Sequence, residues 1–323
     1  MHICPGPLGA ALSASVPLVC FLTAVIWLAR KISDPARAGA PPKFDLTGAV
    51  LSAAGLFFVV LGLLQSRTYG FGASRADFKI GDTVVLAKGS LSVVWIAVAI
   101  GALFLAGFVL HVRAREHKGR AVLLSLRLFK NKASNLGLGT QLIQWLMLQG
   151  SVFALSVYLQ EVDGYSAVKT GLQLTPATVG ILLTSALADR FARRHAQRWL
   201  IIAGFTIASG GFLLLFALVR AHSAVWTWIP GLLLIGAGVG VMLTSSVNLV
   251  QSSFPEHDQG DISGLSRSVS NLGSSLGTAL VGSILVAVQR PAGQPFVAAM
   301  ITMMGFGLIG LGLAVLMPKS GPR

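Results

Sequence analysis

Read only for apolar and polar positions, the chain alternates long hydrophobic runs with short polar gaps. Nine runs reach the roughly 20 residues that a helix needs to cross a bilayer. They are Leu8–Ala29, Leu46–Gln65, Ser90–Val112, Leu136–Leu159, Thr170–Ala188, Trp199–Val219, Trp226–Val250, Ser263–Val288 and Phe296–Met317. Helix breakers fall between them, at Asp34-Pro35, Pro41-Pro42, Gly70–Gly72 and Pro291 to Pro295. A helix that is apolar all round has no face for water, so the pattern predicts an all-α, polytopic integral membrane protein of nine helices. Val122–Lys132 is too short and too charged to span and reads as an interfacial amphipathic stretch. The long gap Ser66–Gly89, with mixed charge and no clear period, is expected to hold little structure of its own.

Composition agrees with a lipid-facing surface. Only 11% of residues are charged and 54% are hydrophobic, whereas about a quarter of a soluble domain is charged. The net charge of +14 does not mark a nucleic-acid binder, because the basic residues sit in gaps between apolar runs and not on one solvated face. Their distribution sets a topology. Seventeen of the 25 lysines and arginines lie in the gaps after the first, third and fifth runs and after the last, and seven lie in the alternate gaps. The richer side is expected to be cytoplasmic, which puts the N-terminus outside and the C-terminus inside a cell membrane. The acidic gap with Glu256, Asp258 and Asp261 runs against this, but acidic residues contribute little to orientation. Cys4 and Cys20 are too few for a disulfide framework and are expected to be free thiols.

Two runs carry polar residues at helical spacing. In the fourth, Gln141, Gln144, Trp145 and Gln149 fall within about 140° of one face. An amide in hydrocarbon needs a partner, so this face is expected to line a substrate cavity or to hydrogen-bond to other helices. In the eighth, Arg267, Ser270, Asn271, Ser274, Ser275 and Thr278 share a face, with Gly273 and Gly277 beside it as a Gly-x-x-x-Gly contact for a neighbouring helix. Ser270, Asn271 and Ser274 join the glutamines and Trp145 as substrate-lining candidates. Glycines in the seventh run (Gly236, Gly238, Gly240) and the ninth read as close-packing positions.

Several stretches resemble the fourteen-span drug:proton antiporter branch of the major facilitator superfamily. Phe44-Asp45-Leu46-Thr47-Gly48 resembles the Phe-Asp-x-x-Gly that opens that family's seventh helix, and Leu126-Arg127-Leu128-Phe129-Lys130-Asn131 resembles the stretch before its ninth. Tyr158-Leu159-Gln160 with Gly164-Tyr165-Ser166-Ala167 resembles the turn after the ninth, and Ser263-Gly264-Leu265 through Gly277 resembles the thirteenth. Leu187-Ala188-Asp189-Arg190, with Arg193 and Arg194, is similar to the superfamily's charged cytoplasmic loop, although Ser185 and Ala192 replace its glycines. The resemblance implies that Asp189, Arg190, Arg193 and Arg194 form a gating loop. A plain positive-inside anchor is the competing reading.

On that resemblance the nine helices correspond to the family's sixth to fourteenth. Residues 1–31 would then be the last helix of an otherwise missing N-terminal bundle, and 32–115 a cytoplasmic linker with two intervening helices. Residues 116–135 would be a cytoplasmic amphipathic connector, and 136–323 a C-terminal six-helix bundle. The implied function is proton-coupled efflux of small amphipathic compounds or drugs by alternating access. The alternative is a truncated, transport-incompetent remnant, or a non-transporting membrane partner of a separate N-terminal half. No carboxylate lies in the middle of any predicted helix, so a proton-carrying group of the usual intramembrane kind would belong to the missing half. The six histidines are scattered without metal spacing. No metal, cofactor or enzymatic activity is expected, and the expected partners are the lipid bilayer, a small substrate and protons, with no nucleic acid.

Overall fold

The computed structural model describes residues 45–80, 83–118, 129, 131–192, 196–218, 225–255, 258–287 and 294–318. The first predicted helix, Leu8–Ala29, lies outside the described residues, as does most of the Val122–Lys132 connector. Each of the other eight apolar runs is a helix. They are α1 (Leu46–Tyr69), α2 (Val93–His117), α3 (Lys132–Glu161), α4 (Ala167–Ala192), α5 (Gln197–Leu218), α6 (Ile229–Ser252), α7 (Gln259–Ala287) and α8 (Gln294–Val315). All eight are long and apolar enough to cross a bilayer.

The helix ends differ from those read from hydropathy by up to five residues, and polar residues at several starts act as caps. The Asp45 carboxylate accepts from Gly48 N at the start of α1, Ser92 Oγ from Val94 N at α2, and Asn131 Oδ1 from Ala133 N and Ser134 N at α3. Each satisfies amides that a helix start leaves without partners. The predicted turn at Gly164 is present, and its φ of 68° is the left-handed conformation that a Cβ disfavours.

The segment between α1 and α2 departs from the expectation of an unstructured loop. Here β1 (Phe78–Ile80) and β2 (Thr83–Leu86) pair antiparallel. Asp77 Oδ1 accepts from Lys88 N at 2.7 Å across the base of the hairpin, and Ser92 Oγ donates to Gly70 O at 2.7 Å, tying the end of α1 to the start of α2. Ile80 and Thr83 flank Gly81-Asp82, a two-residue hairpin signal between β-forming residues. The mixed charge of the longer gap obscured it. Among the described residues, all regular structure apart from these seven strand residues is helical.

The helices α3 to α8 form one bundle. Short connections reverse the chain at every step, so α3-α4-α5 and α6-α7-α8 run in opposite senses. The packing repeats the same way. The α3–α7 contact matches α4–α6, α3–α8 matches α5–α6, and α3–α6 and α5–α8 join like members of the two triplets. Exchanging the triplets leaves this contact pattern unchanged, as an inverted repeat requires. The central pair α3 and α6 each bury 56% of their most apolar stretch, against 17% for α4. Met147, Ile201, Phe205, Phe212 and Met242 are fully enclosed in the shared core. At the end facing the β-hairpin, Tyr158, Trp228 and Phe296 form an aromatic cluster with centroids 4.5–5.9 Å apart, which pins α3, α6 and α8 together.

The Gly-x-x-x-Gly pair of α7 performs the predicted close contact. A Cβ on Gly273 would collide with the Leu142 carbonyl, and one on Gly277 with the Leu146 carbonyl. The backbones of α3 and α7 therefore touch, a separation open only to glycine. Gly236 and Gly240 do the same for α6 against α4. The pair α1–α2 stands beside the bundle and meets α7. Ser283 Oγ lies 3.3 Å from Ser66 Oγ, and Ser66 Oγ 3.5 Å from Ala279 O, near the hairpin end.

Candidate functional site

The polar face of α3 divides into a buried part and an open part. Gln141 and Gln144 are 3% and 1% exposed, and each amide oxygen accepts from a serine on a different helix. Ser266 Oγ of α7 donates to Gln141 Oε1 at 2.9 Å. Ser246 Oγ of α6 lies 3.0 Å from Gln144 Oε1 and 2.7 Å from its own helix's Met242 O. The two amides sit one turn apart at the seams that α3 makes with the other triplet. Gln144 Nε2 is buried with no hydrogen-bond partner among the described residues. Trp145 is half-buried and beside Gly273, and Gln149 is exposed.

On α7, Ser270 is buried and donates to Ser266 O at 2.9 Å. Asn271 is exposed and Ser274 half-buried. Both line a groove of about 550 Å³ between α7 and α1, with Ser268 and Ser275 on the same wall and Leu56, Val60 and Leu64 opposite. Of the seven substrate-lining candidates, Asn271 and Ser274 share this groove. Gln141 and Gln144 are interhelical ties, Ser270 bonds within α7, Trp145 stands beside Gly273 of α7, Gln149 is exposed on α3, and Asn271 and Ser274 line the groove against α1.

Of the charged-loop candidates, Arg190 is exposed at the end of α4, the backbone of Asp189 is helical, and Arg193 and Arg194 lie outside the described residues. Nearby polar side chains engage the neighbouring backbone. Thr184 Oγ1 donates to Ala237 O at 2.9 Å and Ser185 Oγ to Gly240 O at 3.2 Å, holding the end of α4 against α6. Ser185 is the residue standing where the resembling motif has glycine. Arg198, beyond the loop, donates through Nη2 to Val315 O at 2.7 Å, placing a cation on the negative end of α8.

One charged cluster was not anticipated from the sequence. Asp45, 4% exposed, accepts from His111 Nε2 at 3.0 Å and lies 3.5 Å from Arg115 Nη1 on α2. Burial by itself raises its pKa, but the Gly48 N–H, His111 and Arg115 outweigh it and hold the carboxyl below the usual carboxylate range. The signal lay in two places 66 residues apart, visible only once α1 and α2 are known to pair.

Eight spanning helices, six of them in an inverted repeat sealed by glycine contacts and amide–hydroxyl ties, define a multi-pass membrane protein built like a secondary transporter bundle. The comparisons with known proteins name the family. The sequence profile of the Major Facilitator Superfamily matches residues 82–278, and the chain belongs to that superfamily. Its relatives fit the drug:proton antiporter branch. It is 26% identical over 255 residues to the probable actinorhodin transporter of Streptomyces coelicolor, covering 77% of this chain and 40% of that protein. It is 25% identical over 254 residues to the tetracenomycin C resistance and export protein of Streptomyces glaucescens (79% and 43%). It is 26% identical over 282 residues to the multidrug efflux pump LfrA of Mycolicibacterium smegmatis (87% and 51%). The chain thus spans about half the length of these relatives.

Proposed function

We propose that the chain supplies the carrier bundle of a proton-coupled exporter of small amphipathic compounds, working by alternating access in a cell membrane. The observation that carries this reading is the inverted repeat of α3-α4-α5 with α6-α7-α8 in a chain of this superfamily, since rocking of such a bundle about a midplane site is how the fold transports. The relatives, which are named as transporters, export proteins or efflux pumps for antibiotics and drugs, support the substrate class. Trp145 and Gln149 on α3, and Asn271 and Ser274 in the α1–α7 groove, offer stacking and hydrogen bonds to a substrate, and Gln141 and Gln144 tie α3 to the neighbouring helices. Asp189, Arg190, Arg193 and Arg194 serve as the gating loop on the cytoplasmic side, with the N-terminus outside and the C-terminus inside.

The test is ethidium efflux from cells expressing the chain alone and cells co-expressing the N-terminal half of a relative. Efflux in either arm that collapses with a protonophore supports the reading. Efflux only with the added half identifies the chain as a partner subunit. Dye retention equal to that of cells lacking the chain, in both arms, overturns it.

A further inference from the structure

The groove between α1 and α7 lies at mid-depth in the helices that form it. At 1.5 Å per residue, Asn271 stands roughly 18 Å from the start of α7 and roughly 24 Å from its end. In a hydrocarbon layer about 30 Å thick, that depth is out of reach of lipid headgroups. The two walls differ in chemistry. The α1 wall is apolar, with Phe57 and Leu64 on it, and α7 contributes Ser268, Asn271, Ser274 and Ser275. No ionisable side chain lines the groove among the described residues.

The polar wall is not satisfied by the protein. Ser268 Oγ donates to Gly264 O at 3.0 Å and Ser275 Oγ to Asn271 O at 2.9 Å, so both hydroxyl protons are spent within α7. The Asn271 side chain brings two N–H donors and a carbonyl acceptor, and it makes no hydrogen bond among the described residues. An amide left without a partner in hydrocarbon costs free energy. A lipid tail could fill the groove but would offer Asn271 nothing. The backbone groups of a further helix are already spent within that helix. A cation would meet no carboxylate here, and Arg267, exposed one turn before Asn271, would repel it. An anion would exchange its water for walls that hold no cation. The volume of about 550 Å³ is that of a small-molecule site, and Phe57, 60% exposed, offers a ring face for stacking.

We infer that this groove binds an uncharged, ring-bearing compound with a carbonyl or hydroxyl oxygen, taken up sideways from the bilayer. The oxygen meets the Asn271 amide and the rings lie against Phe57 and Leu64. The inference rests on the reading of the chain as a carrier of small amphipathic compounds, and it names the members of that class that this groove selects.

The test is equilibrium binding of 9-fluorenone to the purified full chain in lipid nanodiscs, with empty nanodiscs subtracted. The comparison ligand is fluorene, which has the same three fused rings and no oxygen. The ketone is expected to bind at least about tenfold tighter than the hydrocarbon, as a site built to hydrogen-bond its ligand requires. Asn271→Leu should erase that preference, Asn271→Gln should largely retain it, and Ala53→Trp should block both ligands by filling the groove from α1. Fluorene-9-carboxylate and trimethyl(fluoren-9-yl)ammonium should each bind more weakly than the ketone. Equal binding of fluorene and fluorenone, which is what a groove for lipid tails would give, overturns the inference. So does a ketone preference that survives Asn271→Leu, ketone binding that survives Ala53→Trp, or tighter binding of either ion. Should Ala53→Trp fail to fold by gel filtration, the ligand series on the unaltered chain and Asn271→Leu decide it. Binding without efflux in cells would sink the transport reading alone, and efflux without Asn271-dependent ketone binding would sink this one alone.

Discussion

Asp45 carries three jobs with one side chain: it caps α1, accepts from His111 and neutralises Arg115. Asp45→Ala removes the cap and the contacts to His111 and Arg115, so thermal unfolding in detergent should show a loss of about 1–2 kcal/mol. The effect has a defined pH course. Because the folded carboxyl lies below the unfolded-chain value of roughly 4, its stabilisation is complete above that value. It is lost as pH falls through the lowered folded value. Melting curves of the parent and Asp45→Ala should therefore differ by a constant amount from this source between about pH 5 and 8 and converge in stronger acid. At the bundle's centre, Gln144 and Ser246 should couple by about 0.6 kcal/mol in a double-mutant cycle of Gln144→Leu with Ser246→Ala, the average for such membrane pairs. A coupling indistinguishable from zero would mean that the serine's bond to Met242 O is the only one that matters. The need of Gln141 and Gln144 for partners was legible in the sequence. Which partners they take was not, since Ser266 and Ser246 lie more than 100 residues away and nothing local distinguishes them from other serines.

Among the elements, the spanning helices were readable because an apolar stretch of that length has few other stable fates. Their ends were less so, because hydropathy sees Asp261 and Asp45 as loop residues while the backbone uses the positions around them to start helices. The β-hairpin was missed although Gly81-Asp82 marked it. Glycines in the helices test the packing directly. A valine at Gly277 would meet the Leu146 carbonyl and the α3 backbone, whereas Gly312 of α8 has open space around it. Gly277→Val should abolish monodisperse protein or cost about 2–3 kcal/mol, and Gly312→Val should stay within about 1 kcal/mol of the parent. Similar losses at both sites would show that helix propensity, and not the α3–α7 contact, sets the cost.

For the whole molecule, the alternation of basic and poor gaps predicts a cytoplasmic Asp45 end of α1 and Pro255 connection and an external β-hairpin. With Cys4 and Cys20 replaced by alanine, a cysteine at Gly89 should react with an impermeant maleimide added to intact cells. A cysteine at Pro255 should react only after permeabilisation. The reverse pattern would invert the topology, and the gating-loop assignment would fall with it. The inverted repeat itself was not legible, because the two triplets share a contact pattern and not a sequence pattern.

The α1–α2 pair touches the bundle chiefly along α7. Two crossings joined by a hairpin are an even number, so the pair returns the chain to the side it left. Every helix after it keeps the same facing whether the pair is there or not. A deletion joining residue 44 to residue 119 would preserve the parity of the bundle, which makes the pair a cassette that could be gained or lost without turning the bundle inside out.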